Sequence, residues 1–589
     1  MEQQPSSTER NYVLPVILIA AVLQGWALYA LHWALENQVW PATGPGWLFA
    51  CYAAAAFVPL TAQVLASQTP QRLTWIVVAT VFLAFGYFGW HQGSWVSDPS
   101  QAPFSQPQSG FLLAFILGLI WLMSLPFVQV RLVTGRWQPE YSLLFATAWR
   151  NKLMLAEAAL FTGLFWLLLV LWQALFHMLG IGFFRELFAK PIFIYPVTSV
   201  VFGIALHLIG SVERLTNVLL EQLLNVLKWL AIVAGVLLIA FTIPLLFKLP
   251  GMISSQDRPI SAAWLLWLLA FLVLLINAAY RDGTVAQPYP RAIGLALRCA
   301  IPLTIVIALT ALYAVAIRIN RYGFTVDRVW ACVVALVGVA YAIGYSAAVR
   351  SKHAWMSGIA RVNVGVALAL IAVLMLTLTP VLSPYRLAAN SQFHLAKAHQ
   401  QTATQNAFGT PLQYLRFDAG RYGVERLREL ANSKEAALAE LAAQAQRFLN
   451  SKDRWASASE HRENALANLK VYPAGLSVDE ALLKKLHDEL ATDSGPRAYV
   501  LGTAQQPFGL FIDLNGDDAP EFVLINETQA VMYKKQAEGW TFGGMLLPVN
   551  YQAKFDLPAQ LESGEFGAEV PRWRELRIGE RRFRLQGEQ

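Results

Sequence analysis

The chain has 589 residues, of which 56% are hydrophobic and 14% are charged, with a formal net charge of +7. This composition excludes an ordinary soluble protein, in which about a quarter of the residues are charged. It also argues against nucleic acid as a partner, because the basic residues concentrate in short segments between apolar runs, where membrane topology explains them.

Apolar runs recur between residues 12 and 383, and each is near the length of about 20 residues that crosses a hydrocarbon core. We predict eleven spans, at residues 12–33, 46–67, 72–91, 110–130, 153–179, 192–211, 229–248, 261–280, 299–317, 329–349 and 362–383. The predicted fold class is therefore a polytopic α-helical membrane protein (about 11 spans) with a C-terminal soluble α+β domain. Residues 1–383 form its multi-span transmembrane helical bundle.

Two segments between spans predict helices at the membrane surface. The stretch 182–191, between spans five and six, is short and rich in aromatic residues. Residues 212–227 place their apolar residues on one helical face, the pattern of an interfacial helix.

The distribution of Lys and Arg predicts the orientation of the bundle. The loops that follow even-numbered spans hold thirteen Lys and Arg residues and the opposite loops hold seven, which places the amino terminus in the cytoplasm. An odd number of spans then places the C-terminal domain outside, which in a bacterium is the periplasm. An error of one span would reverse this side.

Two strings of sequence resemble a bacterial family of multipass membrane proteins. They are TAWRNKLMLAEAALFTGLFWLLLVLWQALFHMLGIGFFRELF, beginning at Thr147, and YLRFDAGRYGVERLREL at 414–430. The family is catalogued as domain of unknown function 4153, and the resemblance covers residues 140–470. It implies location in the bacterial inner membrane, within the cell envelope, and it implies no particular reaction.

Few polar residues that could bear or bind charge lie inside the predicted spans. The candidates for a substrate or ion pathway are Glu157, His207, His177 and Asn277, with Gln24 and Gln173 as weaker members. Glu157 and His207 are predicted at similar depth, where a carboxylate and an imidazole can relay protons or bind a cation. In the structural alternative, which we favour, Glu157 reaches the membrane interface or pairs with Arg150, Lys152 or Arg214, and His207 bonds across the bundle.

No catalytic constellation is present in the sequence. It contains no HExxH, no GxSxG and no Walker loop. We therefore predict no catalytic residue and lean against an enzyme.

The C-terminal region divides by pattern into a helical part, 384–495, and a β-rich part, 496–589. Residues 425–449 predict one helix, and residues 477–490 predict another that begins with a capping box of Ser477 and Glu480. Short strand patterns follow from residue 497, beginning with AYVLG, and predict an antiparallel sheet.

The sharpest motif of this region is DLNGDDAPE at 513–521. Its alternating oxygen donors are typical of a short calcium loop: Asp513, Asn515, Asp517, the carbonyl of Ala519, and Glu521. The loop is similar to those of integrin-type β-propellers, but Asp518 replaces their glycine and only one copy occurs. The alternative is a polar hairpin turn around Asn515-Gly516. Calcium is the one cofactor that we consider.

Three functions remain open. The first, which we favour, is a non-enzymatic envelope protein whose bundle anchors a periplasmic domain that binds a protein, lipid or wall component. The second is a transporter or channel for a small solute or ion, and the third is a membrane enzyme acting on a lipid-linked substrate.

Overall fold

The structure is a computed structural model with two compact units, Met1–Leu449 and Asn450–Gln589. The residues that it describes are 7–68, 71–96, 107–211, 213–254, 261–283, 289–350, 356, 358–398, 410–450, 466, 469–491, 500, 507–526, 530–536, 539–546, 557–564, 566–568, 576–578 and 581–583.

The first unit contains, among its described residues, 11 helices that are long and apolar enough to cross a membrane. The helices are α1 (Ser7–Glu36), α2 (Pro45–Val64), α3 (Arg72–Trp95), α4 (Pro107–Thr134), α5 (Tyr141–Met178), α6 (Phe183–Ala189), α7 (Pro191–Ser211), α8 (Glu213–Ser254), α9 (Ala262–Tyr280), α10 (Arg291–Ala300), α11 (Thr304–Tyr322), α12 (Val326–Val349) and α13 (Ile359–Thr377). The short α6 is not a span, and α10 and α11 form one span together through a 3₁₀ turn. The predicted fold class is confirmed, and the chain is a multipass membrane protein.

Consecutive spans run in opposite directions, so the connections α2–α3, α4–α5, α7–α8, α9–α10 and α12–α13 share one end of the bundle. We call it the basic end, because these connections carry most of the Lys and Arg residues between spans. The other connections lie at the opposite end.

One predicted surface helix exists and the other is part of a longer element. The segment 182–191 contains α6. Residues 213–227, in contrast, are the first part of α8, which continues through the span to Ser254 without interruption. An amphipathic pattern shows which face of a helix is apolar, but it does not show where the helix ends. No glycine or proline lies between Glu213 and Ala234 to stop the helix. With 42 residues, α8 is about 63 Å long, about twice the thickness of a hydrocarbon core.

Helices α2 and α3 pack so closely that their backbones touch. A Cβ atom on Gly89 of α3 would overlap the carbonyl of Phe49, and one on Gly93 would overlap the carbonyl of Pro45. Glycine at such contacts allows membrane helices to gain van der Waals energy along their whole length. The close pair supports a buried cluster that includes Phe49, Phe85 and Trp121.

Four further helices belong to the first unit: α14 (Pro384–Ala398), α15 (Pro411–Phe417), α16 (Gly420–Ala431) and α17 (Ala439–Asn450). They share a buried cluster with each other and pack against Val326 at the start of α12. The N–H of Val326 donates to the hydroxyl of Tyr414 over 2.8 Å, and the N–H of Phe324 donates to Oγ of Ser391 over 2.8 Å. The compact units therefore divide at 449/450, later than the compositional boundary at 383/384. Charged helices mark contact with water and do not by themselves mark a separate domain.

The second unit is built on a mixed sheet of order β1-β2-β3-β4-β5. Its strands are β1 (Lys470–Tyr472), β2 (Phe508–Ile512), β3 (Glu521–Ile525), β4 (Ala530–Gln536) and β5 (Gly539–Leu546); β6 (Leu576–Ile578) and β7 (Arg581–Phe583) form a separate hairpin. Two helices accompany the sheet, α18 (Glu480–Ala491) and α19 (Leu557–Ser563). Strand β3 is buried on both faces, since Phe522 and Leu524 pack with α18 residues and Val523 packs with α19 residues.

Several local predictions differ from this structure. The sheet is not wholly antiparallel, because β1 pairs parallel with β2. The predicted helix 425–449 is two helices, since α16 ends at Ala431 and α17 begins at Ala439. The N-terminus of α18 is capped by Asp479 and not by Ser477: the N–H of Leu482 donates to Oδ1 of Asp479 over 2.8 Å. The predicted strand AYVLG lies outside the described residues except for Val500, which is helical.

The contact between α2 and α3 generates a test of the bundle. We expect Gly89→Ala to lower the thermal unfolding temperature of the purified protein, because the methyl group has no space and overpacking costs about 1–3 kcal/mol. The matched control is Gly86→Ala on the same helix, where a Cβ atom meets nothing within 4 Å. Equal unfolding temperatures for the two variants would contradict the close contact.

Candidate functional site

A chain of polar side chains joins four spanning helices near the basic end. The amide of Asn363 on α13 donates to Oδ1 of Asn277 on α9 over 2.5 Å and to the hydroxyl of Tyr141 on α5 over 2.8 Å. The hydroxyl of Tyr345 on α12 donates to Oδ1 of Asn363 over 2.6 Å and accepts from the amide of Asn277 over 2.8 Å. Of the predicted pathway residues, Asn277 is therefore part of an interhelical network.

This network is satisfied from within the protein. Asn277 also donates to the carbonyl of Val273 over 3.0 Å, and Tyr345 is only 2% exposed. In hydrocarbon, such bonds favour one arrangement of the helices, since an unpaired amide there is costly. Asn363 could have been found from the sequence, because it lies inside the predicted span 362–383 as Asn277 lies inside its own.

Glu157 and His207, the predicted pair, have different surroundings. The hydroxyl of Thr216 on α8 donates to Oε2 of Glu157 over 3.3 Å, while Oε1 is buried and has no hydrogen-bond partner among the described residues. Within the described part of the chain, no hydrogen bond or ion pair joins Glu157 to the half-buried His207. His177 is exposed near the end of α5. The side chain of Arg214, a predicted partner of Glu157, lies outside the described residues.

Further polar contacts tie other helices together. On α2, the amide of Gln63 donates to Oε1 of Gln24 on α1 over 3.0 Å. The amide of Asn151 on α5 donates to Oε1 of Gln129 on α4 over 2.6 Å. Such bonds between membrane helices contribute about 0.6 kcal/mol on average, so together they stabilise one packing of the bundle.

The opposite end of the bundle holds a buried histidine that the sequence analysis missed. His91 is 0% exposed, and its Nε2 shares a hydrogen bond of 2.9 Å with the hydroxyl of Tyr422 on α16. The ring of Tyr422 stacks on Trp95, with centroids 4.8 Å apart, and the Arg421 guanidinium lies 5.0 Å from the same Trp95 ring. His91 is the last residue of the predicted span 72–91. A histidine at the end of a span is expected at the membrane surface, so its burial is not evident from the sequence. These contacts dock α16 on α3.

In the second unit, Asp513 organises the loop between β2 and β3. Its Oδ1 accepts from the backbone N–H groups of Gly516 (2.7 Å), Asn515 (3.2 Å) and Asp517 (3.3 Å), and its Oδ2 accepts from that of Asp518 (2.9 Å). These donors, with Gly516 first, lower the pKa of Asp513. The ionised carboxylate therefore stabilises the loop at neutral pH, and this contribution is lost as the pH falls through the lowered pKa.

The rest of the motif completes a closed turn. The amide of Asn515 donates to Oδ2 of Asp517 over 2.8 Å and to Oε1 of Glu521 over 2.9 Å, and Oε2 of Glu521 accepts from the N–H of Leu514 over 2.8 Å. Asp518 has a φ of 63°, the conformation that the propeller glycine would supply.

The hydrogen bonds of this loop are those of a polar turn, the alternative to a calcium site lined by oxygen ligands. The side-chain amide of Asn515 hydrogen-bonds to two of the predicted ligands, Asp517 and Glu521. Among the described residues, no three His, Cys, Asp or Glu side chains converge to hold a metal ion. A calcium site formed by Asp513, Asn515, Asp517, Ala519 and Glu521 stays a prediction.

No family model, no curated protein and no solved structure matches the chain. The resemblance to domain of unknown function 4153 therefore stays a prediction.

The Asp513 loop can be tested with and without calcium. We expect Asp513→Ala to speed hydrogen exchange in β2 and β3 of the full-length protein equally in calcium and in chelator, because the lost bonds are to backbone N–H groups. The control is Glu562→Ala, which removes an exposed carboxylate of the same unit that lies 4.0 Å from Nζ of Lys470. Faster exchange confined to the calcium sample would favour the calcium site instead.

Proposed function

We propose that this chain is a non-enzymatic protein of the bacterial inner membrane whose helical bundle anchors a binding domain in the periplasm. The observation that carries the proposal is the network of Asn277, Asn363, Tyr345 and Tyr141, which ties four helices into one arrangement. A bundle held in this way serves as a scaffold, since the polar groups of this network bind each other. The domain would bind an envelope protein, a lipid or a wall component.

The proposed orientation rests on charge and on span number. If each of the eleven candidate helices crosses the bilayer once, the odd number puts the segments before α1 and after α13 on opposite sides. The excess of Lys and Arg at the basic end favours the cytoplasm for that end. Tryptophan–cation contacts support an interface there: Arg131 lies over Trp137, Lys152 over Trp149 and Lys228 over Trp229, each 5.2–5.3 Å from the ring centroid. The resemblance of residues 140–470 to a bacterial inner-membrane family supports the same location.

A second candidate is a transporter or channel for a small solute or ion. Glu157 favours it, because Oε1 of this carboxylate is buried without a hydrogen-bond partner among the described residues. An ionisable group in that position is a common feature of proton and cation pathways.

The location of the domain is tested by fusing a reporter that is active only outside the cytoplasm after Gln589. We expect activity, because eleven spans and a cytoplasmic amino terminus place the carboxyl terminus in the periplasm. As a control, the same reporter inserted in the α4–α5 connection at Gly135 should be silent. A silent fusion after Gln589, with a cytoplasmic reporter active there, would reject the proposed side.

The two candidate functions differ in their response to loss of Glu157 and His207. We expect Glu157→Gln and His207→Gln to leave the proton, Na⁺ and K⁺ permeability of proteoliposomes unchanged and to alter only the amount of folded protein. A channel for these ions, or a transporter coupled to one of them, would conduct at least one of them and would lose that flux at normal protein levels. Such a loss would replace the anchoring proposal.

A further inference from the structure

A basic surface at the basic end is built from α8, the α9–α10 connection and α10. Arg281, in the connection, donates to Oδ1 of Asn225 on α8 over 2.7 Å, and the hydroxyl of Tyr289 donates to the carbonyl of Lys228 over 2.7 Å. The ring of Tyr289 meets the ring of Trp229 edge-on, with centroids 6.3 Å apart. Arg281 and Tyr289, in the described parts of the connection, thus both contact α8.

Helix α10 continues this surface with one basic face. Arg291, Leu295 and Arg298 recur at spacings of four and three residues and therefore share a face of the helix. On another face of α10, Leu297 packs against Gly235 of α8. That face of α10 is therefore turned toward α8. Leu295 is 64% exposed between the two arginines.

The cations of this surface are not paired with carboxylates in the described part of the chain. No ion pair there includes Arg291, Arg298, Arg281 or Lys228. The Nε of Arg298 is buried and has no hydrogen-bond partner in the described part of the chain. Arg298 as a whole is half-buried, so an anion at the surface would offset the cost of holding its charge there without a carboxylate.

We infer that this surface binds the phosphate of an anionic phospholipid. The guanidinium groups of Arg291 and Arg298 match phosphate oxygens in geometry and charge. A lipid fits better than a soluble phosphate, because the exposed Leu295 lies between the arginines and Trp229, 53% exposed, lies on the adjoining helix. These apolar groups contact acyl chains and glycerol while the arginines hold the headgroup. The inference is independent of the proposed function and of which leaflet the basic end faces.

The test measures lipid binding to the full-length protein by native mass spectrometry from detergent micelles. We expect phosphatidylglycerol to bind more tightly than phosphatidylcholine. Arg291→Gln and Arg298→Gln should each weaken phosphatidylglycerol binding about fivefold, and the double variant about thirtyfold, since each basic residue near an anionic surface contributes about 1 kcal/mol. The matched control is Arg136→Gln, an exposed arginine of the same end in the α4–α5 connection, which should bind as the unmodified protein does.

Two further measurements complete the test. One distinguishes a lipid site from a general anion site, and the other distinguishes lost binding from a folding defect. Leu295→Gln should weaken phosphatidylglycerol binding, and millimolar glycerol 3-phosphate or inorganic phosphate should compete poorly. Arg298→Lys keeps the charge and should retain more binding than Arg298→Gln at the same unfolding temperature. Unchanged lipid preference in the double variant, or equal competition by the soluble phosphates, would overturn the inference.

Discussion

Inside a hydrocarbon layer, a polar side chain has no water to bind, and its partner must come from the protein. This constraint explains why Asn363 bonds to Asn277 and Tyr141 on other helices, and why Gln63 bonds to Gln24. Each bond is weak on its own, but each disfavours alternative packings in which an amide would face lipid. The close approach of α2 and α3 at Gly89 acts in the same direction through van der Waals contact.

The same bundle extends beyond its spans. Helices α14–α17 belong to the first unit because they supply hydrogen-bond partners to the connection between α11 and α12 and dock on α3 through Tyr422. His91 lies in this contact, where it is fully buried. The second compact unit therefore begins at Asn450 and not at residue 384. It is a smaller mixed α/β unit than the helical and β-rich region 384–589.

Two charged motifs illustrate opposite uses of polar groups. In the loop 513–521, the carboxylate of Asp513 is satisfied by backbone N–H groups, so its charge stabilises a turn. On α10, the half-buried Arg298 has no ion pair among the described residues, and its Nε has no acceptor there. The difference lies in the neighbours of each group and not in the residue type.

The sequence by itself determined the fold class, the eleven spans and the presence of a strand-rich part after residue 496. Hydrocarbon thickness sets the length of a span, and sheet pleating sets an alternation of two, so both appear as local patterns. The sequence also identified Asn277 and Glu157 as polar residues inside predicted spans. Only the tertiary structure decided that Asn277 joins Asn363, that His91 meets Tyr422 331 positions away, and that Asp479 caps α18. Such pairings depend on how helices and strands are placed in space, which a local pattern does not encode.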